Sequence, residues 1–310
     1  PARTIWESII KTNMNTGVPY VCFSDTVNRL SNQKNIGVIK SSNLCVGPNT
    51  SILTDKGYYP IKLLAETSDG IHAVWNGVQF SDAHFAKTGT NKYLWKISTS
   101  DGCTLHCTKE HRFALSYGKN STKSDYMEKT TDQLCIGDTI IPCQFPIIKP
   151  VDVKLKRLAK YIDSHFGCVK KQNDYFISIY SDKPYLLIDL KLMLQTLGTN
   201  PIIKCSNLFI NIIDCNTLFS MGLNEYSVKC HNTILPIQKN KETPITICKI
   251  EKDVKQSDTY CFNEPKLHMG IFNGILTKNC TEIMEYSDHK ETAVCNLCSI
   301  SLEKCVIDSY

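Results

Sequence analysis

The sequence predicts a mainly β protein that is interrupted by a small α/β segment. Two blocks, 45–146 and 240–279, consist of short apolar runs separated by Gly, Asn and Asp, a pattern typical of strands joined by tight turns. Between these blocks, residues 147–239 combine helical spacing with strand-like runs. We therefore expect one β domain that is split by an α/β insert.

Both β blocks contain apolar runs that end at turn residues. In the first block, residues 73–78 and 94–97 are such runs, and Asp101 and Gly102 follow the second run. In the second block, strand-like residues extend over 245–276 and include a turn at 272–274. These features predict short strands separated by turns.

The insert shows a different periodicity. Leu155, Leu158 and Ile162 recur at the spacing of one helix face, and the runs 176–179 and 208–212 resemble strands. Alternation of the two patterns predicts a small α/β unit.

Composition and charge exclude few classes of protein. The chain has 310 residues, 42% of them hydrophobic, and a net charge of +5 that is spread along the sequence, which gives little indication of nucleic-acid binding. There is no apolar run of about 18 residues and no basic-then-apolar leader, so we expect a cytoplasmic protein that does not cross a membrane. Because it opens with Pro1 and stops at Tyr310 in an apolar segment, we expect a piece of a longer chain.

The 16 cysteines are scattered through the chain without an export signal, so most are expected to be thiols. Cys295 and Cys298 have the spacing of a zinc or redox site, but no second pair with finger-like spacing accompanies them. Cys103 and Cys107 flank a short run in a presumed hairpin, where ordinary packing is the simpler explanation. The sequence therefore predicts no metal site.

One motif is broken into two pieces that lie far apart. Residues 42–44 read Ser-Asn-Leu and precede Cys45, whereas residues 280–283 read Cys-Thr-Glu-Ile and begin 235 residues after Cys45. The joined string, Ser-Asn-Leu-Cys-Thr-Glu-Ile, resembles the active-site segment of ribonucleotide reductase large subunits. Three further stretches agree with the resemblance: 16–20, 31–35 and 293–297. It covers 1–44 and 280–310, which we interpret as two host segments.

The reductase resemblance implies roles for four residues once the pieces are joined. Asn43 would hold the substrate ribose, Cys280 would become the thiyl radical, and Glu282 would assist proton transfer. Cys295 would be one of two reducing cysteines, with its partner outside this chain. The host would pair with a reductase small subunit or another radical generator. Ribonucleotide reduction by the host is the alternative account of the chain's function.

The segment 45–279 resembles an intein, which is a protein segment that excises itself. It begins with Cys45, ends with Asn279 and is followed by Cys280, as splicing by acyl transfer requires. Three stretches resemble intein motifs in their usual order: 57–61, 108–111 and 134–138. The resemblance implies a horseshoe-like Hedgehog/intein (HINT) domain, made of the two β blocks, whose ends meet.

The intein resemblance also implies a series of acyl transfers without a cofactor, in which the segment acts on its own flanks. A backbone amide is a poor electrophile because resonance stabilises it, so the preceding acyl group would first move to the Cys45 thiol. Cys280 would attack this thioester, and Asn279 would cyclise to release the segment. His111 would protonate the leaving nitrogen or distort the first bond, with Thr108 as hydrogen-bond support.

Near its end, the segment departs from the intein pattern at two positions. His268 is the candidate for assisting Asn279. Cys261 stands where the family usually has Asp, and Lys278 stands where a penultimate His normally promotes cyclisation. Cys261 can still exchange protons, and Lys278 can donate to the Asn279 carbonyl oxygen. We therefore expect splicing to persist at a reduced rate.

Part of the insert, residues 158–167, resembles one helix of the LAGLIDADG homing endonucleases. Those enzymes need two such helices, each bringing a carboxylate to a divalent metal. Here His165 replaces the metal-binding Asp, Lys160 replaces a small residue at the helix contact, and Asp163 occupies the helix-end position. We interpret the insert as an inactive remnant. DNA binding or cleavage by the insert is the third hypothesis and the weakest.

Overall fold

The computed structural model describes residues 45–116, 126–166, 169–173, 176–226 and 244–279, together with 3, 6, 7, 10 and 11. Asn43–Thr281 forms one compact unit, and Pro1–Ser42 with Glu282–Tyr310 forms another. In the latter unit, the described residues are helical, and Arg3 Nε donates to Glu7 at 3.0 Å. The following predicted site residues lie outside the described ones: Asn43, Cys280, Glu282 and Cys295.

The larger unit is mainly β, as the sequence predicts. The elements before the insert are β1 (Ser51–Thr54), β2 (Gly57–Pro60), α1 (Ile61–Ala65), β3 (Ile71–Trp75), β4 (Phe80–Thr99), β5 (Thr104–Cys107), β6 (Arg112–Ser116) and β7 (Tyr126–Thr130). The turn after β3 is held by Asn76, whose Oδ1 accepts from Val78 N at 3.1 Å and from Gln79 N at 2.9 Å. A short polar side chain that caps its own turn explains why the apolar run ends there.

The α/β insert has its own hydrophobic core. Its elements are α2 (Val151–His165), β8 (Val169–Asn173), β9 (Phe176–Tyr180), α3 (Pro184–Gln195), β10 (Ile202–Lys204), β11 (Asn207–Asn211), α4 (Ile212–Ser220) and α5 (Leu223–Tyr226). The strands form an antiparallel sheet in the order β10-β11-β9-β8. Leu155, Leu158 and Ile162 are buried in this core, which confirms the helical spacing.

The chain then returns to the β domain with β12 (Ile247–Asn263), β13 (Met269–Phe272) and β14 (Ile275–Lys278). The main sheet has the order β12-β4-β3-β1-β13-β14, with β2 on β1 and β5 on β4, while β6 and β7 pair separately. Strands β4 and β12 pair along most of their length, a ribbon that the sequence did not reveal. The predicted turn at 272–274 is a two-residue hairpin with φ of 49° at Asn273 and 83° at Gly274, as its geometry requires.

The two β blocks share one hydrophobic core although the insert separates them in sequence. Val46 and Phe113 from the first block pack in the same cluster as Tyr260 and Phe272 from the second. Burial of this apolar surface stabilises the fold by about 25 cal/mol per Å². The core therefore holds together the elements that carry the beginning and the end of segment 45–279. Among the described helices, none is both long enough and apolar enough to span a membrane.

Candidate active site

Cys45 lies at the start of a short extended segment that is paired on both sides. Val46 N donates to Tyr260 O at 3.0 Å, and Tyr260 N donates back to Val46 O at 2.9 Å. On the other side, Thr108 N donates to Cys45 O at 2.9 Å. Cys45 is buried, with 4% of its surface exposed. It is therefore held between β12 and the end of β5.

The strand register brings Cys261 and Thr108 next to Cys45. Val46 and Tyr260 exchange two bonds and form a hydrogen-bonded antiparallel pair, so the next pair along these strands is Cys45 with Cys261. The pairing of Val46 with the last residue of β5 likewise sets Thr108 opposite Cys45. Directly opposite residues share one face, with Cβ atoms about 4.5–5.5 Å apart. This register thus places Thr108 on one side of Cys45 and Cys261 on the other.

His111 follows Thr108 in the same turn and is fully buried. Its backbone N donates to Thr108 O at 3.1 Å, and its Nε2 lies 3.2 Å from Thr277 Oγ1 in β14. Thr277 Oγ1 donates its one hydrogen to Arg112 O at 2.6 Å, so His111 Nε2 carries the proton in the contact with Thr277. Nδ1 is then the acceptor nitrogen of the ring, and no described residue bonds to it.

The surroundings of His111 keep the imidazole neutral. The rings of Phe113 and Phe272 pack edge-on against it, with centroids 5.4 and 5.5 Å away. Burial lowers the pKa of His111 to about 3, because the charged form loses its hydration. Near neutral pH, the ring is therefore uncharged, with Nδ1 as its lone-pair nitrogen, and has no extra proton to give.

Acidification is expected to destabilise the fold through His111. Its pKa is lower in the folded chain than in the unfolded chain, where it is about 6.5. The neutral ring therefore stabilises the fold fully above pH 6.5. This stability is lost as the pH falls towards about 3, at roughly 1.4 kcal/mol per pH unit. Urea unfolding across this window measures the loss, with the non-titrating variant His111→Gln as the comparison. An equally steep fall in that variant would contradict this assignment.

Asn279 is buried directly after β14, with 1% of its surface exposed. Its backbone N donates to His268 O at 2.9 Å. In the orientation that satisfies its hydrogen bonds, the carboxamide donates from Nδ2 to the same carbonyl at 3.1 Å and accepts at Oδ1 from Glu264 N at 2.5 Å. His268 has a left-handed backbone with φ of 53°, which His adopts more readily than most residues. Two donors of Asn279 thus share the His268 carbonyl.

The ammonium group of Lys278 donates two hydrogen bonds and forms one ion pair. Nζ lies 3.0 Å from Tyr126 Oη, 3.1 Å from Glu128 Oε1 and 3.4 Å from Leu267 O. The hydrogen bonds to Tyr126 and Leu267 use two of its three hydrogens. Donation to the Asn279 carbonyl oxygen stays a prediction. In the present arrangement Lys278 fastens β14 to β7.

A short series of contacts links the two ends of segment 45–279. Cys45 O binds Thr108 N, Thr108 O binds His111 N, and His111 Nε2 binds Thr277, which lies two residues before Asn279. Thr277 could not be identified from the sequence. A single Thr in an apolar strand gives no signal of a contact with a residue 166 positions away.

Two cysteines of the β domain and one histidine of the insert are of types that can bind metals. Burial raises the pKa of Cys103 and of Cys107 to about 12, so both remain thiols, whereas metal ligation needs thiolates. In the insert, His165 Nδ1 donates to Tyr161 O at 3.0 Å and its ring stacks on Tyr161. Within the described part of the chain, no cluster of three or more His, Cys, Asp or Glu could hold a metal ion.

The mainly β class predicted from the sequence is confirmed, and solved structures similar in fold are inteins. The Ssp DnaB mini-intein variant M86 has a TM-score of 0.39 at 13% identity, covering 78% of this chain and 97% of that chain. A DnaB intein from Synechocystis sp. PCC 6803 has a TM-score of 0.38 at 12% identity, covering 77% and 99%. The gp41-1 intein has a TM-score of 0.35 at 14% identity, covering 77% and 100%.

The ribonucleotide reductase barrel domain matches residues 1–310, and the chain belongs to the ribonucleotide reductase family. The ribonucleoside-diphosphate reductase large subunit of Invertebrate iridescent virus 6 is 30% identical in an alignment over 415 residues. This alignment covers 97% of this chain and 43% of the viral protein. The large chain of Encephalitozoon cuniculi is 56% identical over 45 residues, 14% of this chain and 6% of that protein. The chain thus spans less than half the length of these relatives. The reductase family predicted from the broken motif is confirmed.

Proposed function

We propose that residues 45–279 excise themselves by protein splicing and join Leu44 to Cys280. The supporting observation is the series of contacts that ties the start of the segment to its end through His111. Splicing requires two junctions that are far apart in sequence to lie close in space, because transfer between positioned groups avoids the entropic cost of bringing them together. The β domain meets this requirement because the buried His111 contacts both the turn that binds Cys45 and the strand that leads to Asn279.

In the first step, the Cys45 sulfur attacks the carbonyl carbon of Leu44. The carbon–sulfur bond forms, the carbon–nitrogen bond breaks, and the thiol proton ends on the Cys45 nitrogen. In this proposal His111 takes the thiol proton at Nδ1 and passes it to the leaving nitrogen, and its low pKa favours release of the proton to that nitrogen. The leaving nitrogen is thus protonated by His111, and the proton comes from Cys45. Cys261, opposite Cys45 in the register, is a second thiol suited to proton exchange.

In the second step, the Cys280 sulfur attacks the thioester and Cys45 leaves as a thiol, which gives a branched chain. Asn279 Nδ2 then attacks its own main-chain carbonyl carbon, and the bond to the Cys280 nitrogen breaks. The products are a succinimide and a free Cys280 amine, which takes the Leu44 acyl group from its own sulfur. The bonds to His268 O and Glu264 N support this role because they fix the Asn279 carboxamide in one orientation. None of these steps consumes a cofactor.

For the ligated product, we propose the active-site role of the reductase, with Asn43, Cys280, Glu282 and Cys295 acting as the family resemblance implies. Reduction would require the remainder of the large subunit and a small subunit or other radical generator, in the cytoplasm. The insert, in this proposal, is an inactive endonuclease remnant with at most weak DNA binding.

Splicing can be tested by expressing the full chain with a different tag at each end and following it by intact mass spectrometry. We expect a ligated product of 75 host residues plus tags and a free segment of 235 residues. The rate should be lower than that of inteins with the usual residues at the positions of Cys261 and Lys278. A folded precursor whose mass never changes, and which added thiol does not cleave, would overturn the proposal.

A further inference from the structure

Glu264 is a buried carboxylate that closes the turn between β12 and β13. None of its surface is exposed. Its Oε2 accepts from Leu267 N at 2.8 Å, and its Oε1 accepts from Lys266 N at 3.1 Å and from Asn76 Nδ2 at 3.1 Å. Burial by itself would raise the pKa of Glu264, but these hydrogen bonds outweigh it and lower the pKa, so the group stays ionised.

The turn that Glu264 closes, residues 264–268, holds the Asn279 carboxamide from both sides. Its first residue donates from Glu264 N to Asn279 Oδ1, and its last residue accepts from Asn279 Nδ2 at His268 O. Loss of a proton from Nδ2 makes this nitrogen a nucleophile and leaves negative charge on Oδ1, and the attack then moves the charge onto the main-chain carbonyl oxygen. A fixed N–H donor at Oδ1 stabilises the deprotonated carboxamide that precedes the attack, and a fixed acceptor at Nδ2 orients the nucleophile.

Asn76 connects this turn to the rest of the β domain. It lies between β3 and β4, where its Oδ1 caps its own turn and its Nδ2 is left to bind Glu264. The carboxylate of Glu264 therefore connects the turn between β3 and β4 to the turn that holds Asn279.

We propose that Glu264 is a positioning residue for Asn279 cyclisation: its carboxylate, held by Asn76, fixes the turn 264–268 that presents the Asn279 carboxamide to its own carbonyl carbon. This inference rests on the proposed splicing function. It assigns to Glu264 an effect on the last cleavage and none on the first acyl shift, because Cys45 and His111 bind to other elements.

The test compares the two cleavages in Glu264→Gln. The neutral amide cannot accept at both of its ends, so C-terminal cleavage is expected to slow about ten- to a hundredfold while the branched chain accumulates. Dithiothreitol-induced cleavage at Cys45, which reports thioester formation, should keep the wild-type rate. The exposed Glu66→Gln is the matched control and should leave both rates unchanged.

Moving the carboxylate from position 264 to position 76 distinguishes a positioning role of Glu264 from a general loss of folding. Asn76→Asp keeps the turn cap but sets a carboxylate against Glu264, so it should slow C-terminal cleavage as well. The double variant Asn76→Asp/Glu264→Gln restores the hydrogen bond in the reverse direction and should recover much of the rate; this pair also serves if the single Gln variant does not fold. Equal slowing of both cleavages, or no recovery in the double variant, would overturn the inference. If the wild-type chain itself forms neither thioester nor branched chain, the splicing proposal fails instead.

Discussion

Cys45→Ala abolishes ligation and thiol-induced cleavage, with both rates reduced about a thousandfold or more. The methyl group cannot take the Leu44 acyl group, and every later transfer needs the thioester. Cleavage after Asn279 should survive at a slow rate, because its nucleophile and the turn that holds it are untouched. Intact mass spectrometry would then detect residues 280–310 released from an uncut remainder that keeps its N-terminal tag.

The matched control for this prediction is Cys135→Ala. Cys135 lies in the same β domain but is exposed, whereas Cys45 is buried. This variant should splice at the wild-type rate. Ligated product from Cys45→Ala would show that another group accepts the acyl chain, and Cys261, opposite Cys45 in the strand register, would be the first to examine.

The order of strands, turns and helices could be predicted because local residues determine it. The hairpin at Asn273 and Gly274 is an example, since these two residue types adopt positive φ readily. The spacing of Leu155, Leu158 and Ile162 predicted their shared burial for an equally local reason. The β4–β12 ribbon could not be predicted in this way, because its pairing depends on register between strands far apart in sequence.

The candidate site likewise contains residues that could be predicted from the sequence and contacts that could not. Cys45 and Asn279 were identified from their positions at the ends of the segment, and His111 from a short motif. Their surroundings were not predictable, because Thr277 and Glu264 act through contacts with residues 166 and 188 positions away. The neutral state of His111 also depends on packing, since the Phe272 ring that helps to bury it arrives from the second β block.

The insert is joined to the β domain by a buried ion pair. Lys191 in α3 and Asp101 after β4 are 1% and 2% exposed, and Nζ lies 2.5 Å from Oδ2 and 3.0 Å from the Asp101 carbonyl oxygen. Thr99 Oγ1 donates to the other carboxylate oxygen at 2.5 Å. A second contact, which is partly buried, runs from Tyr58 Oη to Gln195 Oε1 at 2.7 Å. The β domain therefore buries a carboxylate whose counter-ion is supplied by the insert.

Lys191→Met should accordingly lower the free energy of unfolding by about 3–5 kcal/mol, because it leaves the Asp101 carboxylate buried without its cation. Urea unfolding measures the change. Lys87→Met, which breaks the exposed pair with Asp258, should change it little. The double variant Lys191→Met/Asp101→Asn removes both charges and should regain part of the loss, whereas an equally unstable double variant would contradict the ion-pair explanation.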